Sequence, residues 1–404
     1  QDARFLPAWN ARAAAGDCTT SRVVVVVPDT YLQGDGVSYA TDFAFFDEQV
    51  PGVPAAPQFP GSTVENFHGY NVLVTLAARA DAHPPAGALP FPECLDLRPL
   101  QRKRLTDTGL VQSIDQTAQE ILAETPEAGN FIVSHAWGFP SCADDSCNPG
   151  DATALARELP LALQMAQVGV GYRLLLSRFS ERMLTISAAG NERAKPVKDI
   201  YPGIGHAAYD SPMNIAARSD ATMSWIGNKT LWDPDEALFP CTQEFCAPAL
   251  TATAPEIGTF EAWLQASGRD QDPPAANVLI VGSVDPQANG VNSTSDFSDD
   301  DADVEAVGRD IPTLPGGFVQ GTSFTSPQVT GLAAYLWLLS PELRSRPVVD
   351  TINAIKDNIC LIGCAGVIDA YATVLALDSG QPLSANNSRI RMAILDAAVP
   401  ADSH

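Results

Sequence analysis

The stretch Gly321-Thr322-Ser323-Phe324-Thr325-Ser326-Pro327-Gln328-Val329-Thr330-Gly331, followed by an apolar run over 332–339, decides how the chain is read. A turn-permissive Gly-Thr leads into Ser323, and the residues after it have the composition of an amphipathic or buried helix. Pro327 is tolerated only in the first turn of that helix, because deeper it would lack a donor and clash with the carbonyl one turn back. The helix is therefore expected to begin close to Ser323. A hydroxyl at that place sees the positive end of the helix dipole and a set of unpaired N–H groups, which suits a nucleophile whose attack creates an oxyanion. Gly-Thr-Ser is also common turn chemistry, so the reading needs a base, an orienting acid and an oxyanion donor from elsewhere in the chain.

Working outward from Ser323, strand and helix patterns alternate. Val23 to Val27 is a run of five β-branched residues ending at Pro28-Asp29, the pattern of a fully buried central strand in a parallel sheet. Cys94 to Leu97, Phe131 to Ala136, Met183 to Ser187 and Asn277 to Val284 read as further strands. Helices are expected over 71–79, 106–123, 151–180 (with a break near 169–171) and 347–358, and a strand-helix junction or a helix over 367–377. This rhythm predicts one doubly wound α/β domain with a mostly parallel sheet and helices on both faces. Residues 1–22 read as an N-terminal arm, 23–377 as the domain with insertions at about 141–180 and 192–276, and 378–404 as a C-terminal extension packed on it. Within that extension, 390–395 has the pattern of an edge strand.

Charge and cysteine usage narrow the setting. With 24 basic and 48 acidic residues the formal charge is −24, which argues against nucleic-acid or anionic-membrane partners. No apolar stretch approaches the roughly 20 residues that span a bilayer. The chain opens at Gln1 without an apolar leader and reads as a mature or trimmed product. Cys142 and Cys147, Cys241 and Cys246, and Cys360 and Cys364 are close pairs, leaving Cys18 and Cys94. An even count in such pairs predicts disulfides and an oxidising compartment: secreted, extracellular or periplasmic. Zinc is the competing reading, although pairs four or five apart in Asp- and Pro-rich loops fit it less well than Cys-x-x-Cys.

Three strand ends or helix starts carry Asp29, His68 and Ser323. An Asp-His-Ser relay needs a hydroxyl, an imidazole that takes its proton, and a carboxylate that fixes the imidazole tautomer and stabilises its cation. Of the five histidines, His68 is followed by Gly69 and a helical pattern. His135 is strand-borne and expected to be structural, while His83, His206 and His404 sit in less informative settings. Asn191, behind Ala188-Ala189-Gly190, can aim an amide N–H at a developing oxyanion, although standing alone it reads better as an Asx-turn or helix cap.

Taken together, the order Asp, His, Asn, Ser and the strings Val-Val-Val-Val-Val-Pro-Asp29-Thr30, His68-Gly69-Tyr70-Asn71-Val72, Ala188-Ala189-Gly190-Asn191 and Gly321-Thr322-Ser323 with Pro327 and Gly331 resemble the subtilisin-like serine proteases, the subtilases. The resemblance extends over about 23–377 and implies a subtilisin-like fold. It implies Asp29 as orienting acid, His68 as general base, Ser323 as acylated nucleophile, and Asn191 with the Ser323 backbone N–H as oxyanion donors. It also implies that 132–140, with Ala136, Trp137, Gly138 and Phe139, and the turn Ala188-Ala189-Gly190 bind extended substrate. The string Ala365-Gly366-Val367-Ile368-Asp369-Ala370 resembles the family motif that opens the last helix. No cofactor is required by this chemistry. Structural calcium accompanies the family in carboxylate-rich loops, for which Asp299, Asp300, Asp301 and Asp303 are candidates, although a charge run is more often solvated surface.

The departures from the pattern are specific. Tyr31 stands where the family usually has Gly, Tyr70 and Asn71 replace Thr and a second His, and Gln328 replaces a His in the helix after the nucleophile. In the substrate loop Ser-Leu-Gly-Gly becomes Ala136-Trp137-Gly138-Phe139. The acid-acting sedolisins share the fold and the Gly-Thr-Ser string but use Glu as base and Asp at the oxyanion position, so Asn191 and His68-Gly69 argue against them. A histidine base also calls for neutral or higher pH, because imidazolium cannot accept the proton. The expectation is a secreted, monomeric serine endopeptidase acting on protein or peptide substrates, with apolar residues preferred before the cut. The alternatives are a catalytically silent subtilase fold used for binding and an esterase using the same triad, the latter disfavoured because Ser323 lacks a Gly-x-Ser-x-Gly elbow.

Overall fold

The computed structural model describes residues 22–29, 31, 68–78, 87–89, 91–101, 108–124, 129–136, 172, 175–190, 275–285, 302–312, 318–360 and 366–377. Strand β1 (Val23–Asp29) is buried along its whole length, so the valine run has the two-sided apolar character of an interior parallel strand. It lies parallel to β2 (Leu95–Gln101) on one side and β3 (Phe131–His135) on the other. Strands β4 (Met183–Ala188), β5 (Val278–Val284) and β6 (Val304–Val307) then add in parallel, one after the next. Strands β7 (Ile311–Pro312) and β8 (Phe318–Val319) form a small antiparallel pair apart from the sheet. Strand β9 (Ile359–Cys360) is antiparallel to β10 (Val367–Ile368), which itself runs parallel to β6. The sheet order is therefore β2-β1-β3-β4-β5-β6-β10-β9, doubly wound and mostly parallel. The chain leaves β1 for β2 and returns on the opposite side at β3. That reversal opens a crevice at the carboxyl ends of β1 and β3, where sheets of this kind place ligands.

Both faces of the sheet are covered. Val23, Val25 and Val27 share a core with α1 (His68–Ala77), α3 (Ser326–Leu339) and α5 (Val348–Lys356). Val24 and Val26, pointing the other way, are buried as well, and α2 (Thr108–Glu124) packs against β1 and β2 with Ile114, Ala118 and Ile121 inward. The short α4 (Pro341–Arg344) follows α3, its amino end capped by the Ser340 hydroxyl accepting from the Leu343 N–H. The last described helix, α6 (Ala370–Ala376), is capped by Asp369, whose carboxylate accepts from the Ala372 N–H at 2.9 Å. This is the helix expected to follow Gly366-Val367-Ile368-Asp369. Residues 87–89 close the other end of α1: the N–H groups of Gly87, Ala88 and Leu89 donate to the carbonyls of Ala78, Thr75 and Leu76, each at 2.8 Å.

Some boundaries differ from the sequence expectation. Helix α1 starts at His68, three residues before Asn71, so the candidate base lies inside the first turn. Cys94 ends a 3-10 turn over Pro92–Cys94, and the strand begins after it. Cys94 is buried and disulfide-bonded. Helix α3 starts at Ser326, while Ser323 occupies a separate 3-10 turn, Thr322–Phe324. The tight i+3 bonds from Phe324 N–H to Gly321 O and from Thr325 N–H to Thr322 O delay the wider α-helical pitch until Pro327 is its second residue. Of the expected helix over 151–180, residues 172 and 175–178 are helical, 179–180 are already a turn, and the rest lie outside the described residues. So do the 192–274 part of the second insertion, the arm up to residue 21, 378–404 with its expected edge strand, and the cysteines at 18, 142, 147, 241, 246 and 364.

A buried polar clasp joins α3 to α5: the Trp337 indole N–H donates to Thr351 Oγ1 at 2.8 Å, and both residues are almost fully enclosed. Thr351→Val keeps the volume but strands the indole N–H, so urea unfolding should give a loss of about 1–3 kcal/mol. An unchanged midpoint would mean that the indole finds another acceptor.

Candidate active site

Asp29 is the last residue of β1 and is 1% exposed, so its charge needs a partner. His68 provides one: its Nδ1 lies 2.8 Å from Asp29 Oδ1 and 3.0 Å from Oδ2. An ionised carboxylate only accepts, so Nδ1 carries the proton, and Nε2, on the far side of the ring, is left as the basic nitrogen. The imidazole is more open than its partner, 28% exposed, and can meet another molecule. Its ring centre lies 5.5 Å from that of Phe324, the residue after Ser323, so the 3-10 turn is beside the imidazole.

Several bonds hold that turn at the carboxyl edge of the sheet. Gly321 begins it with φ 128°, a region in which a side chain is strained, and its N–H donates to Gly308 O just beyond β6. Thr322 is buried, and its Oγ1 accepts from the Gly190 N–H at 3.1 Å. That bond couples the turn after β4 to the residue preceding Ser323. Thr325 Oγ1 donates to Thr322 O at 2.8 Å and closes the turn from within. The Gln328 side-chain amide donates to Phe324 O at 2.7 Å and also to Val307 O at the end of β6. Ser323 itself is only partly buried.

Asp29, His68 and the Ser323 turn are thus brought to one edge by β1, α1 and the segment entering α3. Among the expected substrate-binding residues, Ala136 directly follows β3, fully buried, and Ala188 and Ala189 are buried at the end of β4, with the Ala189 N–H donating to Val281 O at 2.9 Å. Gly190 is partly buried with φ 109°. Asn191, Trp137, Gly138 and Phe139 lie outside the described residues. His135 is buried at the end of β3, with Nε2 3.3 Å from the Tyr172 hydroxyl, as a structural histidine would be.

Of the carboxylates considered for calcium, Asp303 is the one among the described residues. Asp303 Oδ1 accepts from Lys356 Nζ at 2.8 Å and Oδ2 from the Ile280 N–H at 2.9 Å, an ammonium where a cation would have to sit. Asp299, Asp300 and Asp301 are outside the described residues. Among the described residues no cluster of three or more His, Cys, Asp or Glu side chains is arranged to hold a metal ion.

Sequence reasoning singled out the Gly-Thr-Ser string but gave Thr322 no task of its own; its hydroxyl ties two loops together. It also treated Gln328 and Tyr31 only as departures. Gln328 is a crosslink between α3, the turn that holds Ser323 and β6. Tyr31 is buried, and its hydroxyl donates to Val27 O at 3.0 Å. Burial, then the neighbouring Asp29 carboxylate and Tyr70, hold its phenol well above the ordinary tyrosine range. The unfolded chain ionises Tyr31 near pH 10 and the folded chain only well above that, so its contribution to stability is intact below about pH 10 and falls as pH rises beyond it. Denaturant unfolding from about pH 9 to 11 should therefore fall less steeply in Tyr31→Phe than in the parent. Equal slopes would show that Tyr31 ionises as freely in the folded chain as in the unfolded one.

Comparison with known proteins bears on the same residues. A peptidase S8 model described as the subtilase family matches residues 42–358, a span that contains His68 and Ser323 and starts after Asp29. Among solved structures, the subtilase cytotoxin SubAB assembly is similar at 16% identity with a TM-score of 0.47, covering 99% of this chain and 97% of that one. MycP1 with its N-terminal propeptide removed is 19% identical, TM-score 0.44, covering 95% and 98%. The A-subunit of the AB5 toxin from E. coli is 14% identical, TM-score 0.43, covering 97% and 98%. No curated protein matches the chain in sequence.

Proposed function

Because the chain belongs to the subtilase family, we propose that it is an active serine endopeptidase whose reaction runs through Asp29, His68 and Ser323. The observation that carries this reading is the bond from His68 Nδ1 to the buried Asp29 carboxylate, 2.8 Å long, with the imidazole beside the turn that holds Ser323. His68 Nε2 takes the Ser323 proton as Oγ attacks the scissile carbonyl, and Asp29 stabilises the imidazolium that forms. The carbonyl oxygen becomes an oxyanion and receives N–H bonds from the Asn191 side chain and the Ser323 backbone. Collapse of this intermediate breaks the C–N bond, with the His68 proton passing to the leaving amine. Water, deprotonated by the same imidazole, then releases the acyl group and restores Ser323. The reaction requires His68 to be neutral, so activity should be lost as pH falls and the imidazole protonates.

Substrate is taken as an extended protein or peptide segment that pairs with the backbone after β3, around Ala136 and Gly138, and passes the turn Ala188-Ala189-Gly190. Trp137 and Phe139 supply apolar bulk and no charge partner, so apolar residues are preferred before the cut and Asp and Glu are disfavoured. A bridged Cys94 and a net charge of −24 fit a chain working in an oxidising compartment, secreted or periplasmic, without nucleic-acid or membrane partners, as a monomer and with no cofactor in the chemistry. Structural calcium, if the chain binds it, is to be sought away from Asp303.

An active-serine phosphonylating reagent should add one group at Ser323 in the parent and none in Ser323→Ala, with denatured protein cleaved only by the parent. Peptide mapping that finds Ser323 unmodified, together with uncut substrate between about pH 6 and 10, would favour a silent binding fold; hydrolysis of esters alone would favour the esterase. Asn191→Leu removes one oxyanion donor at nearly constant volume. It should lower kcat by about 10²–10³ with little change in KM. A raised KM at unchanged kcat would instead make Asn191 a substrate-positioning residue.

A further inference from the structure

We infer that Tyr31 is a positioning residue: it is wedged between the end of β1 and the first turn of α1 and sets the imidazole of His68 on the carboxylate of Asp29. This rests on the protease reading for its kinetic consequence, though not for its geometry.

Asp29 and His68 are 39 residues apart in the chain, so chain connectivity does not set the distance between them. Packing has to set it, to within a few tenths of an ångström, because Nδ1 meets both carboxylate oxygens, at 2.8 and 3.0 Å. Tyr31 touches both sides of that junction. Two residues beyond Asp29, its side chain folds back and its hydroxyl donates to Val27 O at 3.0 Å, which ties the ring to the strand that carries the acid. On the other side the ring lies against the two residues that follow the candidate base. It meets Tyr70 edge-on, with ring centres 5.4 Å apart and planes at 83°. It also covers Gly69 so closely that a methyl group there would lie 2.5 Å from Cε1 and 2.8 Å from Cδ1 and Cζ.

Such a ring cannot step aside. Tyr31 is 2% exposed within the core shared by β1, α1 and α3, and close-packed interiors transmit displacement instead of absorbing it. Its phenol keeps its proton, so the donor to Val27 persists across the pH range in which a histidine base works. Gly69 and Tyr31 are therefore two halves of one contact: an absent Cβ on the helix and a large ring from the strand side. A side chain of a different size at either position would move the first turn of α1, and with it His68, relative to Asp29.

The test uses the whole chain with Tyr31→Phe, Tyr31→Gly, Gly69→Ala and the pair Tyr31→Gly/Gly69→Ala. Three quantities are read: kcat and KM on a peptide substrate, the low-field proton resonance of His68 Nδ1–H, and urea stability. Tyr31→Gly and Gly69→Ala should each lower kcat by about 10–100-fold with KM nearly constant, the cost of roughly 1 Å of misplacement. Both should also shift or broaden the Nδ1–H resonance. Tyr31→Phe keeps the ring and should recover most of the loss. Gly69→Ala should cost much less when Tyr31 is already Gly, because the clash it makes is then gone. Equal costs of Gly69→Ala in both backgrounds, with an unmoved Nδ1–H resonance and only stability affected, would reduce Tyr31 to core filling and overturn the proposal. If Tyr31→Gly fails to fold, Tyr31→Leu takes its place in the cycle. A parent that neither turns over nor labels at Ser323, yet whose Nδ1–H resonance still responds to Tyr31→Gly and Gly69→Ala, would sink the protease reading and leave the positioning role standing.

Discussion

Helix α3 is buried around almost its entire circumference, with only Leu338 partly open, so it has no face to offer water. An apolar helix of that kind is stable only with protein on every side. Here it lies across β1, β3, β4, β5 and β6 and is flanked by α1, α4 and α5. The Thr330 hydroxyl bonds Ser134 Oγ in β3 at 3.0 Å, so even its few polar groups point into the structure. Once α3 is fixed in this way, the turn before it must emerge at the carboxyl ends of the strands. The position of Ser323 is a consequence of hydrophobic burial before it is a matter of chemistry.

A second constraint acts at the same edge. Asp29 ends a strand buried on both faces, where an unpaired carboxylate would be expensive. His68 answers that demand from the first turn of α1, and α1 in turn is held by its own packing on β1 and by the segment 87–89 that caps its far end. This hydrogen bond adds little net stability, since both groups give up water to make it. Its worth lies in orientation: with Nδ1–H held on the carboxylate, Nε2 is the basic nitrogen of the ring.

The residues that depart from the family pattern are built into this frame as structural parts. Gln328 reaches the carbonyls of Phe324 and Val307 and so pins the turn that holds Ser323 to β6. Tyr31 fills the space above Gly69 and is bonded back to β1. Both sets of contacts lie beside Asp29 and His68, which stay within bonding distance.

Much of the architecture was legible from local sequence because it rests on local physics. A five-valine run has few options besides an interior strand. Helical periodicity at Ile114, Ala118 and Ile121 marks a face, and Pro327 limits where α3 can start. The Asp, His and Ser strings could be found one at a time by their residue types. What no local pattern carries is the set of contacts between segments far apart in the chain. Sequence placed the start of α1 at Asn71, whereas the helix also takes in His68, Gly69 and Tyr70, whose packing against Tyr31 no local pattern announces. It gave Thr322 no partner, because Gly190 is 132 residues away. It gave Asp303 no partner, because the Lys356 ammonium that bonds its oxygen is 53 residues away. The sequence by itself determined which segments are strands and helices and which residue types could do the chemistry, since these follow from side-chain shape and polarity over a few neighbours. The meeting of His68 with Asp29 at 2.8 Å, and the turn that brings Ser323 alongside, were decided only by tertiary packing, where burial of α3 and closure of the sheet edge bring distant residues within bonding range.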